Sequence, residues 1–353
     1  MESITCIYYR VAGHLFAVEC KQPELLCKLS NYAPFISPEP TESPLFLLRI
    51  QHEDLIADEL RSRYTHVFTD TSDADMPRIE VYRSSLENAS LQFRGGEWLF
   101  RVAIVANAPI CCELESNEDF SDGILHIAAD CQDIKFCIDN ALMLMYAFRT
   151  APLMTLEMHA AVVVRGSLQD GAERLQDAAS GYRTGRALQD ASLQVRGEDR
   201  GYLFLGYSGT GKSTHARMWI EAFADAWLLN DDNPILRVME DGEVRVYGSP
   251  WSGKTPCYKN EYVRVGGIVK LSQAPHNKLR KISLPEAYAY ILSSSSGLKI
   301  ESGIVDGMHE TIKHVITQVG CYHLDCLPNT EAAEVCWGEL TGDPHQLPLQ
   351  GGE

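Results

Sequence analysis

Residues 206–213 have the residue types and spacing of a phosphate-binding loop, G-x-x-x-x-G-K-[ST]. Small residues in such a loop let backbone N–H groups face the phosphates, and the helix that follows adds partial positive charge at its N-terminus. We expect Lys212 to reach the β- and γ-phosphates and the Ser213 hydroxyl to hold Mg²⁺. The sequence therefore predicts a site for ATP and Mg²⁺. Its predicted nucleotide-binding residues are Gly206, Ser208, Gly209, Thr210, Gly211, Lys212, Ser213 and Thr214.

Two adjacent carboxylates, Asp231 and Asp232, follow an apolar run nineteen residues after Lys212. In phosphoryl transfer one carboxylate can bind the metal while another takes the proton of the acceptor. Adjacent residues at the end of a strand point in different directions, so two roles are geometrically natural. Asp-Asn-Pro alone would indicate only a turn. Its position after a phosphate-binding loop favours a catalytic role for the pair.

Two further sites each have two interpretations. His159 lies in an apolar run, where a histidine is usually a satisfied core residue, but strands beside a phosphate-binding loop direct their carboxyl ends at the nucleotide. Lys254 and Lys259 lie in the segment YGSPWSGKTPCYKNE. Residues 252–255 of that segment could form a second anion-binding turn for a phosphate or an acidic acceptor. An exposed loop that carries lysines is the alternative, and the residues alone leave both questions open.

Three motifs together, MHAAVVV, GYSGTGKST and LLNDDN, resemble the C-terminal kinase domain of bacterial HPr kinase/phosphorylase. The loop is also similar to that of ATP-dependent phosphoenolpyruvate carboxykinase, whose nucleotide-binding core is related. The resemblance covers residues 157–236 and the general order of elements after them. It implies that His159 lies near the transferred phosphate, that Asp231 is the catalytic base and that Asp232 helps to hold Mg²⁺. The family's extended glycine- and arginine-containing segment after the Asp pair has no counterpart here; YGSPWSGKTPCYKNE stands in its place.

The order of strands and helices around these residues predicts an α/β core. An apolar strand over 202–205 precedes the loop, a helix follows it, and strands and helices then mix to the end of the chain. We expect a phosphoenolpyruvate-carboxykinase-like P-loop kinase domain over 126–353, with a polar insertion over 166–200. Leu-Gln-Asp recurs there at irregular intervals, and the segment is polar without a strand pattern, so we expect a passive excursion between two strands, with a substrate-sensing role as the alternative.

The first 125 residues are expected to form a separate β-rich domain, so that the chain is α+β as a whole. Short runs rich in β-branched and aromatic residues alternate there with turn signals. None of these runs has catalytic spacing. Residues 131–148 have apolar positions at helical spacing and predict a buried helix that leads into the second domain.

Composition limits the partners. The chain has 353 residues and a formal net charge of −17, with no basic run, so we expect no nucleic-acid partner. Its first ten residues lack a signal-peptide pattern, and the most apolar window carries charges, so we expect a cytoplasmic protein without a membrane span. Eleven irregularly spaced cysteines argue against a disulfide framework or a zinc site.

Two functions compete at this point. The first is a kinase that transfers the γ-phosphate of ATP to a serine-like hydroxyl on a protein or small molecule, with Asp231 as base and His159, Lys212 and Lys254 near the γ-phosphate. The second is a nucleotide-gated binding module without phosphotransfer. Carboxykinase-like chemistry would need further basic and metal-binding residues. The resembling family forms oligomers, so a homo-oligomer is plausible, while the acceptor stays unknown.

Overall fold

The computed structural model describes residues 4–53, 55–56, 61–70, 77–84, 97–166, 195–253 and 255–341. Two compact units divide the chain, Met1–Arg149 and Thr150–Glu353. Lys254 and most of the insertion at 166–200 lie outside the described residues.

The division lies 24 residues after the domain boundary at 125/126 that the sequence suggested. The reason is the helix that follows the N-terminal strands, which packs on unit 1. In that helix Tyr146 Oη donates a hydrogen bond to the Val11 carbonyl at 3.1 Å, and Arg149 Nε donates to the Leu45 carbonyl at 3.1 Å.

Unit 1 is built on one mixed sheet, which has nine strands in the described part of the chain. The strand order is β3-β1-β2-β4-β9-β8-β7-β6-β5, and only the pairs β2–β4 and β4–β9 in this described order are parallel. The strands are β1 Thr5–Val11, β2 His14–Cys20, β3 Ile36–Ser37, β4 Leu47–Glu53, β5 Tyr64–Asp70, β6 Arg78–Ser84, β7 Glu97–Ala103, β8 Ile110–Asn117 and β9 Asp122–Ala128.

Helices α1 (Pro23–Leu26) and α2 (Ile134–Thr150) accompany this sheet, with a 3₁₀ turn over Ser30–Phe35. Helix α2 occupies nearly the position that apolar spacing predicts. It brings Phe148 against Phe100 and Phe120, with ring centroids 5.7 and 5.0 Å away. Burial of such aromatic rings holds the helix against the sheet.

Unit 2 is built on a second mixed sheet. Its described strand order is β10-β14-β15-β16-β12-β11-β13, and β18 adds to β16 and to β17. Strand β16 runs parallel to β12 and to β18, and the remaining described pairs are antiparallel. The strands are β10 Thr155–Glu157, β11 Ala160–Arg165, β12 Val195–Leu205, β13 Trp227–Asn230, β14 Ile235–Val238, β15 Val244–Tyr247, β16 Tyr262–Gln273, β17 Lys278–Lys281 and β18 Cys321–Cys326.

Four described α-helices belong to unit 2: α3 Lys212–Ala222, α4 Leu284–Ser293, α5 Ser302–Gln318 and α6 Thr330–Thr341. Helices α3 and α6 share one apolar cluster, in which Phe204, Trp219 and Cys336 are fully buried. The chain is thus mixed α/β, with two large mixed sheets and comparatively few helices. This confirms the coarse fold class that the sequence predicts.

Candidate functional site

The phosphate-binding loop connects the end of β12 to the start of α3. Gly209 has φ +76° and Gly211, the N-cap of α3, has φ +105°. Residues with a Cβ rarely adopt these left-handed values, so glycine is required at both positions. Ser208 and Ser213 are exposed, and Thr210 and Thr214 are half-buried. The loop therefore presents its outer surface and the helix N-terminus to solvent, as phosphate binding needs.

Lys212 is buried and lies across its own loop. Its Nζ donates hydrogen bonds to the Gly206 carbonyl at 2.9 Å and to the Tyr207 carbonyl at 3.4 Å, and it lies 2.8 Å from His159 Nε2. Burial lowers the pKa of the Lys212 ammonium, while the Asp232 carboxylate opposes this shift. The lysine is held as a partly desolvated cation, which strengthens its attraction for any anion that replaces these partners.

His159 lies at a break between two strands. The sequence predicts one strand over 157–165, but the structure divides it into β10 and β11, with Met158 and His159 between them. Residues 226–238, which the sequence pattern assigns to a strand with a polar exit, are divided in the same way into β13 and β14. The two breaks are hydrogen-bonded to each other, from Met158 N to the Pro234 carbonyl and from Ala160 N to the Asp232 carbonyl, both at 2.9 Å.

These paired breaks bring His159 and Asp232 together. His159 Nδ1 lies 3.2 Å from Asp232 Oδ1. Because a protonated Lys212 can only donate, His159 Nε2 must accept from it, which places the ring proton on Nδ1, where it faces the Asp232 carboxylate. The residues Lys212, His159 and Asp232 thus form one continuous chain of polar contacts.

Asp231 points to another part of the site. Its side chain is buried, and Oδ2 accepts a hydrogen bond from Thr255 N at 3.2 Å. A Cβ added at Gly253 would lie 3.5 Å from Asp231 Oδ2 and 3.3 Å from Asp232 Cβ, so this glycine lies beside both aspartates. The two carboxylates therefore have different hydrogen-bonding neighbours: Asp232 faces His159, and Asp231 accepts from the Thr255 N–H.

Asn230 holds the turn that carries both aspartates, and sequence reasoning did not select it. Its side chain is fully buried; Nδ2 donates to Ser249 Oγ at 3.1 Å and to the Trp251 carbonyl at 2.9 Å. Its Oδ1 accepts from the backbone N–H groups of Asp232 and Asn233, each at 2.9 Å. The sequence signal that could have identified Asn230 is its position as the one polar residue at the end of the run WLLN.

Two other charged residues near the site were also missed. Glu157 is fully buried, and neither carboxyl oxygen has a hydrogen-bond partner among the described residues. Burial raises the pKa of the Glu157 carboxyl well above its ordinary value, and the Asp232 carboxylate raises it further. Lys270 is paired in register with Leu205, beside the start of the loop, and its Nζ lies 4.6 Å from the centroid of the Tyr207 ring. Burial lowers the pKa of the Lys270 ammonium.

An open cavity of about 310 Å³ borders the loop. It extends from the loop along α3 and is closed on its far side by the segments that follow β16 and β18. Gln273 Nε2 lies 3.4 Å from the Gly209 and Thr210 carbonyls and joins the loop to that wall. The lining residues are Gly209, Thr210, Gly211, Thr214, His215, Met218, Gln273, Ala274, Cys326, Leu327 and Pro328.

The sequence-predicted site is largely brought together. Lys212, His159 and Asp232 are in contact, and Asp231 is adjacent to them in the chain. No hydrogen bond joins Ser213 to Asp232 within the part of the chain that is described. Lys254 lies outside that part. Lys259 is used elsewhere, since its Nζ donates to the Leu228 carbonyl at 2.6 Å and lies 4.3 Å from the Trp227 ring centroid.

A scan against protein-family models finds no match for this chain, and a search of curated proteins finds none either. Among the described residues, no helix has the length and apolar character needed to cross a membrane.

Proposed function

We propose that this chain is an ATP- and Mg²⁺-dependent kinase that transfers the γ-phosphate to a serine-like hydroxyl, with an HPr-kinase-like P-loop core related to that of phosphoenolpyruvate carboxykinase. One observation carries the proposal. The loop lysine, Lys212, contacts His159 at 2.8 Å, and His159 contacts Asp232 at 3.2 Å, so the loop and the Asp pair form one site.

The phosphate end of the proposed site is the loop and the first turn of α3. Backbone N–H groups and the helix N-terminus would bind the phosphates. Lys212 would exchange the Gly206 and Tyr207 carbonyls for phosphate oxygens. Ser213 and Asp232 offer hydroxyl and carboxylate oxygens, the hard ligands that suit Mg²⁺, which when bound would neutralise charge on the phosphates.

The acceptor end is the side on which Asp231 lies. In the proposed step the acceptor oxygen forms a bond to the γ-phosphorus while the bond to the β,γ-bridging oxygen breaks and ADP leaves. The hydroxyl proton passes to the Asp231 carboxylate. The contact of Asp231 with Thr255 N supports an acceptor that binds beside Thr255, which would have to move aside to expose the carboxylate.

The nucleoside would occupy the cavity beside the loop. Its volume of about 310 Å³ falls within the range usual for small-molecule sites, and it is continuous with the loop residues Gly209 to Gly211. Met218 and Leu327 supply apolar surface there, against which a flat base can pack.

The first experiment is thermal unfolding with and without Mg·ATP. Wild type should be stabilised by ATP, since a ligand that binds only the folded state raises its stability. Lys212→Ala should lose that stabilisation, while Lys259→Ala, whose amine is used on a backbone carbonyl, should keep it. A wild-type melting temperature that ATP does not change would refute the nucleotide assignment.

The second experiment follows the label of γ-phosphate-labelled ATP in the presence of L-serine or a serine-containing peptide library. Label in the acceptor supports the kinase, and Asp231→Asn should then abolish transfer while leaving the ATP-dependent thermal shift. ATP binding with neither labelled acceptor nor free phosphate would favour the nucleotide-gated binding module instead.

A further inference from the structure

Four cysteine side chains converge in unit 1, far along the chain from the nucleotide site. The Sγ atoms of Cys111, Cys112 and Cys137 all lie within 4.8 Å of one another. Cys131 Sγ lies 3.5 Å from Cys137 Sγ. Their irregular spacing in the sequence argued against a zinc site, but three separate elements bring them together. These are strand β8, the segment after β9 and the first turns of helix α2.

A β-bulge explains how two consecutive cysteines reach one place. Neighbouring residues of a regular strand point to opposite faces of the sheet. Between β7 and β8, however, Val102 pairs with Cys112 and Ala103 pairs with Ile110, so that Cys111 is an extra residue. A bulge of this kind redirects a side chain. It allows Cys111 and Cys112 to approach the same partner, Cys137.

We propose that Cys111, Cys112, Cys131 and Cys137 bind one Zn²⁺ ion. Four sulfurs around a tetrahedral zinc lie about 3.8 Å apart, because each Zn–S bond is about 2.3 Å long. Cys131 Sγ and Cys137 Sγ are 3.5 Å apart, close to that value, and the sulfurs of the three buried cysteines of the cluster lie within 4.8 Å of one another, so small side-chain adjustments would place all four around one ion. All four are free thiols, and the 3.5 Å separation is much longer than a disulfide bond of about 2.0 Å. A disulfide also joins only two sulfurs, whereas one metal ion uses all four.

The surroundings of the cluster suit a structural site. Cys111, Cys112 and Cys137 are buried, and Cys131 is half-buried, which leaves an entry path from solvent. In the thiol form Cys111 Sγ lies 3.2 Å from the Val102 carbonyl, and Cys137 Sγ lies 3.9 Å from the Cys111 carbonyl. Both are weak thiol hydrogen bonds that metal binding replaces. Each thiol that becomes a ligand releases its proton to solvent, so binding weakens as the pH falls.

The test uses the full-length protein, purified under reducing conditions from cells supplied with zinc. We expect about one equivalent of zinc per chain by elemental analysis, as a single four-cysteine site holds one ion. After zinc is removed with a chelator, Co²⁺ should give the thiolate charge-transfer band and the visible bands of a tetrahedral complex, saturating at the same ratio.

Cys131→Ser is the most informative variant, because its half-exposed side chain can be changed without opening the core. It should weaken Co²⁺ binding by about tenfold or more and alter the charge-transfer band, as loss of a ligand requires. Cys27→Ser is the matched control, since Cys27 is exposed in the same unit and lies outside the cluster; it should bind Co²⁺ like wild type.

Three results would overturn the proposal. One is wild-type protein that holds neither zinc nor Co²⁺. The second is Co²⁺ binding that Cys131→Ser leaves unchanged. The third is a metal-free protein whose intact mass and peptide map show a disulfide within the cluster even after purification under reducing conditions.

Discussion

Replacing Asn230 by alanine should destabilise unit 2 more than its size suggests. The side chain is fully buried and makes four hydrogen bonds, two donated and two accepted. After Asn230→Ala, the N–H groups of Asp232 and Asn233 have no acceptor in the described part of the chain. Ser249 Oγ lies 2.6 Å from the Asn233 carbonyl and 2.9 Å from the Trp251 carbonyl, and its single proton can be donated to only one of them at a time.

The magnitude follows from how much water can reach each group. The Asn233 N–H is buried, and leaving such a donor unsatisfied costs about 1–3 kcal/mol. The Asp232 N–H is partly exposed, so water can replace the acceptor and only a net hydrogen bond of about 0.5–1.5 kcal/mol is lost. The expected loss is therefore about 1.5–4.5 kcal/mol, a large part of the stability of an ordinary domain.

Asn233→Ala is the matched control. The Asn233 side chain makes one hydrogen bond in the described structure, from Nδ2 to Asp232 Oδ2 at 3.1 Å, and that carboxylate is partly exposed. Its removal should cost only about 0.5–1.5 kcal/mol. Both variants replace asparagine with alanine at positions three residues apart. The difference between their free energies of unfolding therefore isolates the buried hydrogen-bond network of Asn230.

Urea unfolding followed by tryptophan fluorescence is a suitable assay. Four of the five tryptophans lie in unit 2, so the signal mainly reports that unit. The urea dependence of the free energy of unfolding should stay constant while the midpoint concentration falls. That result indicates a change in stability rather than in the compactness of the unfolded state. If Asn230→Ala lowers the midpoint no further than Asn233→Ala, the idea that Asn230 holds the aspartate turn is wrong.

Two further predictions concern single residues near the site. The folded protein binds the Glu157 proton more tightly than the unfolded chain does. The contribution of this proton to the free energy of unfolding is therefore fully present below the ordinary carboxyl pKa, and it is lost as the pH rises towards the raised pKa of Glu157 in the folded protein. Glu157→Gln should therefore raise the melting temperature above that of wild type at neutral pH but not in acid. The control is Glu113→Gln, which should not raise the melting temperature at neutral pH, because the buried Glu113 carboxylate is bonded to Arg101. An equal gain for Glu157→Gln at every pH would contradict the raised pKa of Glu157. Gly211→Ala should cost about 1–2 kcal/mol in urea unfolding from backbone strain alone, because no atom lies within 4 Å of its added Cβ. The control is Gly303→Ala, whose added Cβ also meets no atom within 4 Å but whose backbone is ordinarily helical, so it should not lower the free energy of unfolding. Similar losses of stability in the two variants would show that the φ of Gly211 is not the cause.

The phosphate-binding loop could be predicted because its determinants are local. Glycines at the left-handed positions 209 and 211, and a lysine at the helix start, are all within eight residues. The strand break at Asp231 carries a local signal, because the segment NDDNP is polar and Asp-Asn-Pro is typical of a turn. The break at His159 has no such signal, because its run is apolar on both sides, and only its pairing with the break at Asp231 shows where β10 ends.

The features that the sequence did not indicate depend on packing between distant segments. The helix over Ile134–Thr150 was placed with the second domain because it follows the β-rich runs in sequence, but its apolar face packs in unit 1. The cysteine cluster depends on a bulge in β8, and a bulge leaves no mark in the spacing of cysteines. Sequence periodicity reports which face of an element is buried, but not which partner covers it.

The charges at the candidate site give an independent reason for a divalent cation in the proposed function. Lys212 and Lys270 balance Asp231 and Asp232, while the burial of Glu157 favours its neutral form. These described side chains therefore offer no net positive charge to a triphosphate, which carries several negative charges. Loop N–H groups and the dipole of α3 supply only partial charges. A cation would offset the charge of a polyphosphate bound here, and Asp232, half-exposed and beside His159, is the carboxylate that we propose shares it.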